Sequence, residues 1–170
     1  VDGRVPVIAG TGANSTQEAL ELTQTAASLG ADFALIVTPY YNRPSQEGLY
    51  RHYSYIADEV HLPQILYNVP SRTGCDLLTE TVLKLVPHDN VVGLKDATGD
   101  LGRLEEILSG LAKLKRHDFI LYSGDDPTAT QFMLKGGSGT ISVTANVVPS
   151  RIAEICNQAL SGDSQIANKL

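Results

Sequence analysis

Lys95 closes the apolar run VVGLKD (91–96) and is the residue of this chain with the clearest chemical potential. Turn-forming residues precede the run and Gly99 follows it, a pattern typical of a buried strand. An amine at the end of such a strand is partly desolvated, which lowers its pKa and leaves some of it as the uncharged nucleophile that attacks carbonyl groups. The alternative is a lysine whose stem lies on apolar residues while its charged head reaches water or pairs with an acid such as Asp96.

Two further groups follow neighbouring apolar runs. Tyr40 and Tyr41 occur in VTPYYNRPSQEG, and Tyr67 and Arg72 occur in LYNVPSRTG. A phenol beside an amine can move protons during imine formation, and an arginine can hold a carboxylate with two parallel hydrogen bonds. Taken singly, each tyrosine could be a core-edge residue and the arginine a surface residue. Together with Lys95 they favour an imine-forming site.

Six apolar runs predict the strands that would position these side chains. Most are apolar on both faces and begin about 30 residues apart, with helical patterns between them, as in successive βα units of a parallel sheet. We expect helices to begin near Ser15, where Glu18 completes a capping box, near Ser45, near Thr79 and after Pro149. The predicted strands are 5–10, 33–38, 64–69, 91–96, 119–124 and 139–144.

Polar residues follow the C-terminal end of nearly every predicted strand. A barrel gathers all those ends at one mouth, whereas an open doubly wound sheet uses mainly its switch point. We therefore predict an α/β fold, a (β/α)8 TIM barrel in one domain (1–170), with about six units present and two strands missing. Gly10-Thr11-Gly12 resembles a dinucleotide-binding loop, but Ser15 replaces the third glycine and Asp32 precedes its strand instead of ending it.

The composition argues against several classes of partner. A net charge of −6 argues against nucleic acid and anionic membranes. No apolar run is long enough to span a membrane, and no signal peptide is visible. Cys75 and Cys156 form no CxxC pair and the histidines are scattered, so we expect no metal and no cofactor. Free thiols favour a reducing, cytoplasmic location.

Several stretches resemble the 4-hydroxy-tetrahydrodipicolinate synthase (dihydrodipicolinate synthase) family of pyruvate-dependent class I lyases. They are PVIAGTGANST, VTPYYNRPSQEGLY, QILYNVPSRTG, VGLKDATGD, SGDD and GTISVTAN. The resemblance covers essentially the whole chain and corresponds to barrel strands three to eight. It implies that the first two strands, with a threonine pair that binds pyruvate, and the C-terminal helices are absent. Such a fragment would have poor or no activity and would expose sheet edges.

The resemblance also implies a reaction, the condensation of pyruvate with L-aspartate 4-semialdehyde in diaminopimelate and lysine biosynthesis. Lys95 would form the Schiff base, Tyr67 would relay protons, and Tyr41 would enter the partner's site across a dimer interface. The intact protein would be a homotetramer, a dimer of dimers. Further implied roles are carboxylate binding by Arg72, a pyruvate pocket lined by the backbones of Gly124 and Ile141, and inhibitory lysine binding by Asn14, Glu18 and Tyr40.

Three alternatives remain open. N-acetylneuraminate lyases and keto-deoxy-sugar-acid aldolases share the lysine and tyrosine, but Arg72 suits a short aldehyde that carries a carboxylate. A phosphate-binding barrel enzyme could use Gly136, Gly137, Gly139 and Gly124, although Asp125 and Asp126 oppose an anion. A non-catalytic binding module would have no need of Lys95, Tyr67 and Arg72 together.

Overall fold

The computed structural model describes residues 1–167 and contains a six-stranded sheet. All strands are parallel, and each pairs with the strand that precedes it in the chain. This order is that of a barrel wall, since a doubly wound sheet reverses its order at a switch point. The strands are β1 (Ile8–Gly10), β2 (Phe33–Val37), β3 (Gln64–Asn68), β4 (Val91–Asp96), β5 (Ile120–Ser123) and β6 (Gly139–Thr140).

Within the described residues β1 and β6 do not pair with each other, so the sheet is an open segment of a barrel. The prediction of an incomplete barrel is therefore confirmed. The first and last predicted strands were too long, because 5–7 and 141–144 lie outside the ladder. Val7 still accepts hydrogen bonds from the backbone of residues 32 and 33, but the chain beyond Thr140 turns towards Asp126.

Helices follow the strands and cover one face of the sheet. Two short 3-10 turns, Asp126–Thr128 and Thr144–Asn146, follow β5 and β6. The helices are α1 (Thr16–Ser28), α2 (Gln46–Glu59), α3 (Pro70–Thr73), α4 (Thr79–Leu85), α5 (Leu101–Leu114), α6 (Ala129–Leu134), α7 (Pro149–Leu160) and α8 (Ser164–Ala167).

Side-chain caps explain where two of the predicted helices begin. Ser15 accepts a hydrogen bond from the Glu18 N–H at 3.4 Å, and Ser45 accepts one from the Gly48 N–H at 3.2 Å. The predicted cap at Thr79 is wrong, because Leu78 occupies the capping position without a side-chain bond and Thr79 is the first helical residue.

The main core lies between the sheet and its helices. Among its fully buried side chains are Leu49, Tyr53 and Ile56 of α2 and Leu94 of β4. The opposite, concave face of the sheet is less covered, and it presents the half-buried side chains of Phe33, Leu35, Val37, Ile120 and Tyr122.

His52 is a buried histidine at the contact between α1 and α2. Its Nδ1 lies 2.8 Å from the Thr16 hydroxyl, and burial lowers its pKa to about 4 from an ordinary 6.5. Because the unfolded chain binds the proton first, stability is lost as the pH falls from 6.5 towards 4. We expect a loss of ~2 kcal/mol in the free energy of unfolding at about pH 5.

Urea unfolding at neutral pH and near pH 5 measures this loss. A His52→Gln variant keeps a polar partner for Thr16 and should lose much less stability over the same interval. His61→Gln, at an exposed position, is the matched control and should behave as the parent chain does. Equal acid sensitivity in the His52→Gln variant and the parent would contradict the assignment.

Candidate active site

Lys95 and Tyr67 form a contact at the C-terminal ends of β4 and β3. They are register partners in the ladder, so their side chains leave the same face of the sheet. The Lys95 Nζ lies 4.0 Å from the centroid of the Tyr67 ring. Only 8% of Lys95 is exposed, and burial lowers its pKa from the ordinary 10.5, while the charge of Asp126 acts in the opposite direction.

The solvated, ion-paired alternative for Lys95 does not fit this geometry. Asp96 is the next residue of β4 and its side chain leaves the opposite face. Among residues 1–167 no carboxylate oxygen lies within 4.0 Å of the Lys95 amine. A desolvated amine with no carboxylate in direct contact among these residues is chemically suited to attack a carbonyl group.

The amine opens into a cleft of about 460 Å³, which we call the Lys95 cleft. Arg72 reaches it from α3, a single turn of helix that begins at Pro70 directly after β3. Burial raises the pKa of Tyr67, and the Arg72 guanidinium acts in the opposite direction. The cleft is lined by Tyr67, Val69, Ser71, Arg72, Lys95, Ala97, Gly124, Asp125 and Val143.

Four predicted site residues thus meet in one cleft: Lys95, Tyr67, Arg72 and Gly124. Ile141 does not line it. The Ile141 N–H donates to the Ser123 carbonyl at 2.9 Å, which holds the segment after β6 beside β5. Sequence reasoning missed Ser71 and Val143, although Ser71 lies next to Arg72 in the same motif.

Because Gly124 has no side chain, the Lys95 side chain can pack directly against its backbone. A Cβ at this position would lie 2.8 Å from Lys95 Cε and 2.9 Å from the Ala97 Cβ, both closer than ordinary contacts. We expect Gly124→Ala to displace the amine and slow imine formation by about ten- to a hundredfold, since a misplacement of 1 Å can cost that much.

Borohydride trapping of a pyruvate adduct measures the effect of Gly124→Ala. Gly102→Ala is the matched control, because a Cβ there meets only the Asp100 carboxylate, at 3.2 Å. A Gly124→Ala variant that traps pyruvate at the parent rate would show that the amine does not need this space.

Tyr41 lies outside the Lys95 cleft and points into solvent. It is 89% exposed, and its backbone has a φ of +74°, a left-handed conformation that is unfavourable for a bulky residue. Its N–H donates to the Thr73 carbonyl at 3.3 Å. The backbone of α3 therefore anchors the loop that presents the exposed phenol.

Two of the three residues of the predicted lysine site, Asn14 and Tyr40, adjoin this loop. Asn42 donates to the Asn14 carbonyl at 3.0 Å, which joins the segment after β2 to the segment before α1. Glu18 is exposed on α1, and Tyr40 is 43% exposed. The side chains of Glu18 and Tyr40 are therefore accessible to solvent.

Neither a metal cluster nor a membrane span is found in the described part of the chain. Over residues 1–167 the acids, histidines and cysteines form no group of three or more that could hold a metal ion. No helix in that range has the length and apolarity needed to cross a bilayer.

Comparison with known proteins gives consistent matches along the whole chain. The 4-hydroxy-tetrahydrodipicolinate synthase of Stutzerimonas stutzeri is 56% identical over 170 residues, which are 100% of this chain and 57% of that protein. The chloride-inhibited dihydrodipicolinate synthase of Acinetobacter baumannii, whose structure contains pyruvate, is 54% identical with a TM-score of 0.92. The match covers 99% of this chain and 56% of that one.

A third relative is the enzyme of Cyanidioschyzon merolae with lysine bound. It is 39% identical, its TM-score is 0.89, and the match covers 96% of this chain and 55% of that chain. This chain therefore spans somewhat more than half the length of the relatives that it matches. The family model for the dihydrodipicolinate synthetase family matches residues 1–170, and the chain belongs to that family.

Proposed function

We propose that these residues belong to an enzyme that condenses pyruvate with L-aspartate 4-semialdehyde to give 4-hydroxy-tetrahydrodipicolinate. This is the committed step of diaminopimelate and lysine biosynthesis. The observation that carries the proposal is the buried Lys95 amine, which lies over the Tyr67 ring without an ion-pair partner among residues 1–167. The 4-hydroxy-tetrahydrodipicolinate synthases among the relatives support the same reaction.

The first half of the reaction uses Lys95 and Tyr67. The uncharged amine attacks the keto carbon of pyruvate to give a carbinolamine, which loses water to form an imine. Tyr67 supplies the proton that leaves with the water. The imine forms protonated, and the Tyr67 phenolate removes a proton from the methyl group, which gives an enamine and restores the phenol. The raised pKa of Tyr67 keeps the phenol protonated, and therefore able to donate, at neutral pH.

The second half forms a carbon–carbon bond. The enamine carbon attacks the aldehyde of the second substrate, whose oxygen takes up a proton. The amino group of that substrate then attacks the imine carbon, which closes the ring and releases the Lys95 amine. Arg72, exposed at the edge of the Lys95 cleft, is placed to bind the substrate carboxylate with two hydrogen bonds. This feature favours the semialdehyde over a sugar acid.

The family resemblance extends the proposal to a homotetramer in which Tyr41 completes the site of a neighbouring copy. An exposed ring on a strained backbone supports that role, because such strain persists where function requires it. The resemblance also implies that Asn14, Glu18 and Tyr40 would bind inhibitory lysine. The lysine bound in one relative supports a lysine site of this kind. The free thiols of Cys75 and Cys156 support a cytoplasmic location.

Reductive trapping tests the proposal. We would incubate the chain with pyruvate and borohydride and locate the adduct by intact mass and peptide mapping. The same experiment would use this sequence within a chain of its relatives' full length, called the full-length enzyme below. We expect an adduct on Lys95 in the full-length enzyme and a weaker one or none in the 170-residue chain.

A folded full-length enzyme without an adduct, or with an adduct on another lysine, would refute the assignment of Lys95. Turnover distinguishes the remaining alternative. Consumption of aspartate semialdehyde supports the synthase, whereas cleavage of N-acetylneuraminate supports the sugar-acid lyase.

A further inference from the structure

A cluster of buried polar side chains lies behind the Lys95 cleft, on the helix-covered face of the sheet. Asn68 follows Tyr67 on β3, and Asp96 follows Lys95 on β4. Asn68 and Asp96 are register partners, as Tyr67 and Lys95 are. Because side chains alternate along a strand, this second pair points away from the cleft. Asn68 is fully buried and Asp96 is 5% exposed. The cluster therefore begins one residue from each member of the reactive pair.

The Asn68 side chain uses all of its hydrogen-bonding groups to join β3 to its surroundings. Its Nδ2 donates to Asp96 Oδ1 at 3.0 Å and to Asp76 Oδ1 at 2.8 Å. Its Oδ1 accepts from the Leu77 N–H at 2.9 Å. A buried amide with both N–H groups and its oxygen bonded has one favourable orientation, so it holds the ends of β3 and β4 in a fixed relative position.

Arg103, on α5, supplies the positive charge of this cluster. Its Nη1 donates to Asp76 Oδ2 at 3.2 Å, its Nε lies 3.6 Å from Asp96 Oδ1, and its Nη2 donates to the Leu77 carbonyl. The Thr98 hydroxyl donates to the other carboxylate oxygen of Asp96. A buried carboxylate requires such partners, because an uncompensated buried charge is strongly destabilising.

We propose that Asn68, Asp96 and Arg103 are positioning residues for the reactive pair: they clamp β3 to β4 directly behind Tyr67 and Lys95, and they keep the Asp96 charge compensated on the far face of the sheet. The proposal rests on the proposed imine chemistry. An uncompensated carboxylate one residue away would favour the ammonium form of Lys95, which cannot attack pyruvate.

The sign of the effect follows from the charges. Without the Arg103 guanidinium the potential at Lys95 becomes more negative, the ammonium form is favoured, and the pH midpoint of imine formation rises. Without the Asp96 charge the midpoint falls. The other titratable or charged groups facing Lys95 are unchanged by either substitution; they are Tyr67, Arg72, Tyr122, Asp125 and Asp126.

The test measures the rate of borohydride-trapped pyruvate adduct against pH in the full-length enzyme. We expect Arg103→Met to raise the midpoint by ~0.5 pH units, which makes imine formation about threefold slower at neutral pH. Asp96→Asn keeps the shape of the side chain and should lower the midpoint by about the same amount. Opposite shifts are a signature that a purely structural role would not give.

Two controls separate charge from stability. Arg103→Lys keeps the charge but loses the planar fork, so we expect lower stability with an unmoved midpoint. Arg116 is a comparable arginine at the other end of the sheet, where it bonds Asp118 at 3.0 Å and the Val86 carbonyl. Arg116→Met removes it. It should lose stability and leave the midpoint unchanged.

Each outcome decides the proposal. If the parent enzyme traps pyruvate on Lys95 while Arg103→Met and Asp96→Asn shift the midpoint in the same direction or not at all, the cluster has no electrostatic role and only this inference fails. If the folded parent enzyme traps no adduct on Lys95, the proposed function fails as well. If Arg103→Met does not fold, Asp96→Asn decides alone, since a downward shift supports the inference and an unmoved midpoint overturns it.

Discussion

In the full-length enzyme, replacing Lys95 with methionine is expected to abolish the pyruvate adduct and all turnover, and to leave the protein at least as stable as before. Methionine fills a similar volume without an amine, so no imine can form. Because burial lowers the pKa of Lys95 below 10.5, the ammonium form is less favourable in the folded chain than in the unfolded one. The substitution removes that penalty.

The pH dependence of this gain in stability can be measured. A lysine whose folded pKa is lowered destabilises the native state at low and neutral pH, and the penalty disappears as the pH rises towards the unfolded value. The free energy of unfolding of the variant should therefore exceed that of the parent most at neutral pH. The two values should become similar near pH 10.5. Urea unfolding at several pH values and borohydride trapping are the two measurements. A variant that is less stable throughout, or that still forms an adduct, would contradict the assignment.

Tyr67→Phe is expected to slow turnover by ~10²–10⁴-fold, the usual contribution of a positioned acid–base group. Phenylalanine keeps a ring 4.0 Å beneath the Lys95 amine and removes only the hydroxyl. The pyruvate adduct should therefore still form, although slowly, because the amine stays in place while its proton relay is lost.

Steady-state turnover and the rate of adduct formation measure this effect. Tyr53→Phe is the matched control, because its buried hydroxyl donates to the Ile36 carbonyl at 3.2 Å, away from the cleft. That variant should lose stability and keep its turnover. If Tyr67→Phe retained turnover within about twofold of the parent, another group would have to move the protons.

The central strands could be predicted because they have neighbours on both sides. VVGLKD is buried on both faces and was predicted and observed over the same residues, 91–96. The outer strands β1 and β6 have a partner on one side only, and there the apolar run extends past the ladder. Helix α3 has four residues, too few for a helical period to appear in the sequence.

The Lys95 cleft was predictable for a topological reason. Parallel strands end at the same edge, so residues that end adjacent strands, such as Tyr67 and Lys95, must meet there. The cluster behind the cleft could not be predicted, because Asn68 and Arg103 are 35 positions apart in sequence. They come to share the partners Asp76 and Asp96 only when α5 packs on the sheet. The role of Tyr41 stays a prediction, since its exposed ring lies outside this cleft.

The sequential strand order has a consequence for folding kinetics. Among the six described strands every ladder joins neighbours in the chain, so none of these pairings waits for a strand made much later. Folding rates fall as the sequence separation between contacting residues grows, and this sheet keeps the separation between paired strands near one βα unit. During synthesis β3 and β4 can pair before β5 has left the ribosome. Lys95 can then meet the Tyr67 ring before the glycine that makes room for its side chain has left the ribosome.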